Sequence, residues 1–413
     1  MGFMPRKQRA TNIVEHDLAS IVMAGDATIM KHLKIAIVNE ICVAGATRCA
    51  RDLEKHLSSS HVVRYYPKDE TKKETIHSLL NDLAEFAPDV VHCHSYYGDL
   101  PYRALQIIAS RYPTCFTPHD PRPLGTPHPS DTMCWDCPRS HACFRCARVS
   151  RLRKLLLLNP YFWHRLYKRY IHFRLPRHIR IISPSRWLQQ RLLASEWRHF
   201  SIDYIPNGID LEDFREVKNA RVQLGISDAE KIILYVAFTG KWALNGRKGL
   251  YYLSEAFFQK ILPTYPDAKL YVAGEGLIPN HPNVVPLGFL SQEILPLYYS
   301  AADVFAVPTL ADNLPYTILE AMSCSTPVVG SRVGGIPEQI EEDVTGYLVP
   351  RGDIKALGEA LLHILHDRKM RDAMGRASRA RVENIFSMAH FIRQHETLYQ
   401  ELQQTTASVF HKG

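Results

Sequence analysis

The stretch from Thr309 to Glu338 reads TLADNLPYTILEAMSCSTPVVGSRVGGIPE and carries the pattern that decides the fold. A polar loop ending at Asp312 and Asn313 leads into a predicted helix that runs to about residue 323. Pro315 is expected in the first helical turn, where its missing N–H does no harm. The apolar run TPVVGS that follows is typical of a buried strand. Loop, helix and strand in this order indicate a parallel, doubly wound sheet.

Short β-branched runs alternate with helix-length segments on both sides of this stretch. The strand candidates are KIAIVN, VVRYY, DVVHCHS, TCFTPH, RIIS and DYIP and, after the polar stretch 213–228, IILYVAF, KLYVAGEG, NVVPLGF, DVFAVPT, TPVVGS and TGYLVP. This alternation predicts an α/β fold with two Rossmann-like domains whose strand-end loops face a common cleft. Amphipathic spacing around Phe391, Ile392, Leu398 and Leu402 predicts a final helix.

Length and composition support two domains. A chain of 413 residues with 46% hydrophobic residues exceeds the usual size of one core, which excludes a small binding module and a disordered chain. We predict a loosely ordered leader (1–33), an N-terminal domain (34–205), a C-terminal domain (206–385) and a C-terminal helix and tail (386–413). The first domain contains a Cys-rich insertion (121–147) and a basic helical segment (148–178). Neither a secretory signal nor a membrane-spanning run is evident, so a cytoplasmic location is expected.

Positive charge is concentrated in one band. The net charge is +8, but residues 138–195 hold fourteen Lys and Arg and no Asp or Glu, which leaves −6 for the rest of the chain. Such a band indicates a polyanionic partner: an acidic membrane, a nucleic acid or a charged substrate.

The loop before the predicted helix favours an anionic ligand. The N–H groups of Asn313, Leu314 and the residues after them would present partial positive charge. Glu320 lies eight residues after Asp312, roughly 9–12 Å along a helix, which suits the two ends of an extended ligand. That separation is wide for the carboxylate pair of a glycosidase. The simpler alternatives are a solvent-facing Glu320 and an N-cap role for Asp312.

Many motifs in one order resemble those of retaining glycosyltransferases with the GT-B fold, most closely family 4, also called group 1. They are PDVVHCHS, TPHD, SPSRWL, IPNGIDLEDF, the KG of GRKGL, VAGEG, LYYSAADVFAVP and D-x(7)-E followed by STPVVGSRVGGIPE. The resemblance extends from about residue 34 to residue 403. It implies a nucleotide-diphosphate sugar donor in the C-terminal half, an acceptor in the N-terminal half, and a last helix that crosses back to the first domain.

The resemblance also implies roles for single residues. Asp312 and His119 would face the donor sugar, Glu320 would hold the ribose hydroxyls, and Lys248 would neutralise the leaving diphosphate. The remaining donor contacts would come from Asn313, Leu314, Pro315 and, through close backbone approach, Gly45. Lys248 together with the helix N-terminus would replace a metal ion, so no catalytic metal is expected. As alternatives, His119 is a plain loop residue, Lys248 is surface charge, and Gly45 is a turn glycine.

Two positions depart from the family pattern. Many relatives have an Arg where this chain has Phe238, and Lys241 or Arg247 is the candidate substitute. The first acid of the pair is Asp312 rather than the commoner Glu, which is longer by one methylene.

Four of the nine cysteines, Cys134, Cys137, Cys143 and Cys146, form two CxxC pairs within thirteen residues. Paired CxxC motifs in a reducing compartment are typical of structural zinc, and this insertion would fix a loop above the acceptor cleft. Unligated thiols and redox or iron–sulfur chemistry are the alternatives. The other five cysteines are expected to be buried thiols.

The basic segment favours a lipid-linked acceptor. A helix beginning at Pro160 would place Trp163, Leu166, Tyr170 and Phe173 on one side and Arg165, Lys168, Arg169 and His172 on another. Such a helix would lie on an anionic bilayer, at the inner face of the membrane. The alternative is a core helix with a solvated basic face.

We therefore predict transfer of a sugar from a nucleotide-diphosphate donor to a cell-surface glycan or lipid-linked acceptor. An enzyme that acts on a soluble acceptor or a sugar phosphate is the alternative. A zinc-dependent nucleic-acid-binding protein is a remote one, because such a protein has no role for the strand-end acids. No nucleic-acid partner is expected, and oligomeric state is not predicted.

Overall fold

A computed structural model describes residues 32–39, 45–68, 75–94, 102–124, 170, 172–237, 246–274 and 277–410. Each of the twelve strand candidates contains a strand in the described chain. The strands are β1 (Lys34–Asn39), β2 (Val62–Tyr66), β3 (Val90–His94), β4 (Thr114–Thr117), β5 (Arg180–Ser183), β6 (Ser201–Tyr204), β7 (Ile232–Val236), β8 (Lys269–Ala273), β9 (Val284–Gly288), β10 (Val304–Val307), β11 (Val328–Ser331) and β12 (Gly346–Val349).

The helices of the described chain are α1 (Gly45–Leu57), α2 (Ile76–Phe86), α3 (Tyr102–Ala109), α4 (Arg186–Leu193), α5 (Ala220–Gln223), α6 (Leu250–Ala256), α7 (Leu295–Ala301), α8 (Tyr316–Ser323), α9 (Ile336–Gln339), α10 (Ile354–His366), α11 (Arg368–Ile385) and α12 (Met388–Phe410). Helix α6 continues through a π-helical turn, Phe257–Ile261, into Leu262–Thr264. Short 3₁₀ turns occupy Arg122–Leu124 and Glu196–His199.

The strands form two parallel six-stranded sheets, in the orders β2-β1-β3-β4-β5-β6 and β12-β11-β10-β7-β8-β9. The strand order reverses between β1 and β3 in the first sheet and between β7 and β10 in the second. In doubly wound sheets a ligand binds at this switch point, beyond the carboxyl ends of the strands. The loops that follow these four strands are therefore where a ligand site is expected.

Each sheet is buried on both faces, as the continuous apolar strands predict. One face of the first sheet packs on α2, α3 and α4, and the other on α1 and α12. The second sheet has its own two cores.

Helix α12 returns to the first sheet, as predicted. Its buried residues Phe391, Tyr399 and Leu402 pack in one core with Ile35 and Ile37 of β1. No helix in the described part of the chain is both long and apolar enough to cross a membrane.

Candidate active site

The loops after β7 and β10 meet in an ion pair. The Nζ of Lys248 lies 2.7 Å from Oδ2 of Asp312. Burial alone would raise the pKa of Asp312, but the charges of Lys248 and Arg247 lower it below its ordinary value. The carboxylate is therefore ionised at neutral pH, and Lys248 is not merely surface charge.

Two glycines allow these loops to approach so closely. Gly249 has φ +82°, and a Cβ there would lie 1.9 Å from the carbonyl oxygen of Pro308. Gly334 has φ +56°, and its Cβ would lie 1.7 Å from the carbonyl oxygen of Asp312. Both positions need the left-handed backbone and the missing side chain that only glycine supplies at low cost. The KG and GGIPE motifs thus fix the backbone around the ion pair.

Helix α8 begins at Tyr316, so the expectation that Pro315 lies in its first turn is wrong. Pro315 is the N-cap, with φ −66° and an extended ψ of 131°. The side-chain amide of Gln339 donates to its carbonyl oxygen at 3.0 Å, which holds the extended conformation. Asp312 lies well before the helix and its Oδ1 accepts from the N–H of Asn313, so the N-cap alternative for Asp312 is wrong as well.

Asn313 connects the two halves. Its buried side chain accepts a hydrogen bond of 2.5 Å from Ser185 Oγ and donates one of 3.0 Å to the carbonyl oxygen of His119. Nearby, the Asn207 amide donates to the carbonyl oxygen of Leu314 at 3.1 Å. The backbone from Asp312 to Pro315 is therefore held against the first half at the cleft.

Glu320 is buried, with 4% of its surface exposed, which rules out the alternative of a solvent-facing residue. One carboxylate oxygen pairs with Arg48, and the other accepts a 2.7 Å hydrogen bond from the hydroxyl of Tyr299. Both Glu320 and Arg48 are held by rigid helices, α8 and α1. The carboxylate expected to contact ribose is thus already tied to the first half of the chain.

Sequence analysis missed Arg48. Its guanidinium lies over the rings of Phe214 and Tyr316, at 4.9 and 4.7 Å. Burial alone would lower its pKa, but Glu320 and Asp52 raise it, so Arg48 stays protonated. The available signal was a charged residue beside Cys49, a cysteine expected to be buried.

Gly45 is the first residue of α1 and is exposed. A Cβ at this position would meet Tyr316 Cδ2 at 3.6 Å, an ordinary contact. Among the described residues no contact therefore demands glycine here, and the predicted approach to a ligand stays a prediction.

His119 lies just after β4 in a group of imidazoles. Its Nε2 is 3.0 Å from Nδ1 of His94, the last residue of β3. His92 is bonded through its two ring nitrogens to Tyr399 and Thr117, at 2.7 Å each. His92 is thus held by other side chains, whereas His94 also contacts the predicted donor-facing histidine.

Several predicted features lie outside the described residues. These are residues 1–31 of the leader, the four cysteines of the insertion (Cys134, Cys137, Cys143 and Cys146), most of the basic helical segment, Phe238 and Lys241. Leu33, the last residue of the predicted leader, is buried in a core with Ile35 rather than loosely ordered. Arg247, the other candidate to replace the family Arg, donates to the carbonyl oxygen of Ala311 at 3.3 Å. Four of the five remaining cysteines, Cys49, Cys93, Cys115 and Cys324, are buried thiols as expected.

The end of the basic band shows two different environments. Arg180 is paired with Asp203 and Glu401, acids that lie outside the band in sequence, so a count within the window overstated the free charge of the band.

Two aromatic residues at the end of the band are exposed: Phe173 is 83% exposed and Tyr170 is 53% exposed. These two aromatic residues are not packed in a core, contrary to the core-helix alternative.

Two family models match consecutive parts of the chain. Glycosyltransferase Family 4 matches residues 41–213, and Glycosyl transferases group 1 matches residues 233–367. Together they include all of the predicted donor-site residues.

Curated relatives match about half of the chain. N-acetyl-alpha-D-glucosaminyl L-malate synthase of Bacillus anthracis is 29% identical over 46% of this chain and 50% of its own length. GDP-mannose-dependent monoacylated alpha-(1-6)-phosphatidylinositol monomannoside mannosyltransferase of Corynebacterium glutamicum is 31% identical over 48% of this chain and 56% of its own. The chain thus spans about half the length of the curated relatives it matches.

The fold is shared with solved structures at low identity. HepE of Anabaena, solved in complex with UDP, has a TM-score of 0.65 with 18% identity, over 89% of this chain and 100% of that one. Two facing doubly wound sheets with a returning helix are the GT-B architecture, as predicted. The chain belongs to the family 4, or group 1, glycosyltransferases of the GT-B fold.

Proposed function

We propose that the protein transfers a sugar, with retention at the anomeric carbon, from a nucleotide-diphosphate donor to an acceptor hydroxyl. The observation that carries the proposal is the Lys248–Asp312 pair, held beside the Asn313–Pro315 backbone and joined through Asn313 to His119. A cation and an acid at one strand-end cleft suit a ligand with a diphosphate at one end and a sugar at the other.

In this proposal each residue has a separate task. Asp312 and His119 bind the hydroxyls of the donor sugar, and Lys248 contacts the diphosphate. Glu320 accepts from the ribose hydroxyls with lone pairs that Arg48 and Tyr299 leave available, since each carboxylate oxygen can accept two hydrogen bonds. The HepE structure of this fold was solved in complex with UDP, which supports a nucleotide donor for this chain.

The reaction breaks the bond between the anomeric carbon and the β-phosphate oxygen. The acceptor hydroxyl forms its bond to that carbon on the same face and passes its proton to the departing phosphate oxygen, and the nucleoside diphosphate leaves. Lys248 stabilises the charge that develops on the departing oxygen, an effect worth several kcal/mol in sites of this kind. We therefore expect turnover without an added divalent ion.

The experiment is a nucleotide-release assay in the presence of a chelator. A panel of UDP- and GDP-sugars is offered with lipid and glycan acceptors, and the anomeric configuration of the product is read by NMR. An α-linked product from an α-linked donor supports retention. An inverted product overturns the retaining part, and no release with any donor overturns the proposed activity.

For the acceptor we propose a lipid-linked glycan at an anionic membrane surface. Phe173 and Tyr170 are exposed beside Arg174, whose guanidinium lies 4.6 Å over the Tyr170 ring. Exposed aromatic residues with cations are typical of the membrane interface. The mannosyltransferase relative is named for a phosphatidylinositol monomannoside acceptor. The N-acetyl-alpha-D-glucosaminyl L-malate synthase is named for L-malate, a soluble one. The exposed aromatic residues favour the first.

We further propose that Cys134, Cys137, Cys143 and Cys146 hold one structural zinc ion. The support is the spacing of the two CxxC pairs, which suits four thiolates around one tetrahedral ion.

A further inference from the structure

A cysteine and two histidines come together where α1, β3 and β4 meet. The Sγ of Cys49 and one ring nitrogen each of His94 and His119 lie within 4.8 Å of one another. Cys49 and His94 are buried, at 2% and 0% exposure, and His119 is half-buried. These three residues have a ligand set that zinc and related soft cations prefer.

The geometry is close to that of a tetrahedral ion. His94 Nδ1 and His119 Nε2 are 3.0 Å apart. Two nitrogens at a tetrahedral zinc with bonds of about 2.0–2.1 Å are roughly 3.3 Å apart, so the pair needs to open by only a few tenths of an ångström. Cys49 is carried by a helix and His94 by a strand, and both elements are fixed in the core.

The His94 ring is buried at the point where the three side chains meet. Its Nε2 has no hydrogen-bond partner within the described residues, so the ring is under-satisfied where it stands.

We propose that Cys49, His94 and His119 bind one thiophilic divalent cation of the zinc class, and that the bound ion inhibits the enzyme. Zinc binding displaces the thiol proton of Cys49 to solvent. The proton of the His94–His119 hydrogen bond moves to the other nitrogen of its ring, and no oxidant or reductant is needed. A fourth position stays open to water. The ion holds His119 on its Nε2 side and draws it away from the donor sugar. The inhibitory part rests on the proposed function of His119, whereas the metal site rests on the cluster alone.

The metal site is tested on the full chain after treatment with a chelator, by equilibrium dialysis against Zn²⁺. Wild type should bind one more zinc per chain than Cys49→Ser and one more than His119→Asn. The second variant changes a half-buried residue and so guards against a fold that does not tolerate the first. Cys115→Ser, a buried thiol on neighbouring β4, should bind as wild type does. Equal uptake by wild type and both ligand variants overturns the site.

Inhibition is tested by nucleotide release at increasing Zn²⁺. Half-inhibition of Cys49→Ser should need at least about tenfold more zinc than wild type or Cys115→Ser. Equal sensitivity of all three proteins overturns the inhibitory role. If wild type releases no nucleotide from any donor, the proposed function and the inhibitory role fail together, while the dialysis result still decides the metal site.

Discussion

Arg48 and Glu320 lie 272 positions apart in the sequence and form a largely buried ion pair across the cleft. The pair joins α1 of the first half to α8 of the second, and the hydroxyl of Tyr299 donates to the other carboxylate oxygen. A buried charge pair of this kind is costly to break, because the remaining partner stays in a site with little water. Glu320 therefore serves both the stability of the closed arrangement and, in our proposal, the ribose.

Glu320→Ala should destabilise the protein and weaken donor binding. Leaving Arg48 buried without its partner should lower the free energy of unfolding by about 3 kcal/mol, as is usual for a broken buried pair. Urea unfolding measures this. The double variant Arg48→Met, Glu320→Ala should be more stable than Glu320→Ala alone. A single variant as stable as wild type would show that the pair carries no such energy.

Lys248→Ala should lower turnover by roughly 10²-fold if Lys248 stabilises the leaving diphosphate. Steady-state nucleotide release with a saturating donor measures the effect. Lys355→Ala is the matched control, since this lysine is 76% exposed on α10 and should leave the rate unchanged. A Lys248→Ala rate within threefold of wild type would contradict the role.

Binding to vesicles should require anionic lipid. Each basic residue near the surface contributes roughly 1 kcal/mol, and binding should fall as salt rises. Charge reversal at Lys168 and Arg169 should release the protein, and Phe173→Ser should weaken binding without changing the charge. Donor affinity should be unaltered in both variants. Equal partitioning onto neutral and anionic vesicles, or none onto either, would argue against a membrane role for the band.

The purified protein, with no metal added, should contain about one zinc per chain, bound by the two CxxC pairs. Elemental analysis of wild type and Cys137→Ser gives the answer. We expect the variant to lose zinc but keep donor binding. A folded, active, zinc-free wild type would make these four residues ordinary thiols.

Acid should destabilise the protein through its buried imidazoles. Burial lowers the pKa of His395 to about 4, while the unfolded chain titrates near 6.5. The unfolded state binds the proton first, so the stabilisation is complete above about pH 6.5 and is lost as pH falls towards 4. His395 alone should lower the free energy of unfolding by about 2 kcal/mol by about pH 5. Denaturant unfolding at about pH 7.5 and 5 tests this, and His395→Gln should show a smaller loss. An unchanged loss in that variant would contradict the assignment.

Local pattern was sufficient for the fold. Strands such as Ile232–Val236 are short apolar runs bounded by polar loops, and their alternation with helices determines a parallel sheet. The boundary error at Pro315 arose because its fixed φ fits both the first turn and the residue before it. Only the contact with Gln339 decides between them.

Contacts between separate segments could not be predicted from sequence. Arg48 pairs with Glu320 across the cleft, and Arg180 pairs with Asp203 on the neighbouring strand β6 and with Glu401 on α12. Composition within a window cannot show such partners. The motif residues Asp312 and Lys248 were predictable because their spacing is part of a family pattern, whereas the Cys49–His94–His119 cluster follows no linear motif.

The central claim, a nucleotide-diphosphate sugar site that needs no metal, is tested most directly by thermal shift in the presence of EDTA. Wild type and Glu320→Ala are screened against UDP- and GDP-sugars at millimolar concentration. A donor present at 100 times its Kd should stabilise wild type by about 2.7 kcal/mol. We expect one class of nucleotide sugar to raise the Tm of wild type and to give a much smaller shift in Glu320→Ala. No shift with any nucleotide sugar, or a shift seen only when a divalent ion is restored, would contradict it.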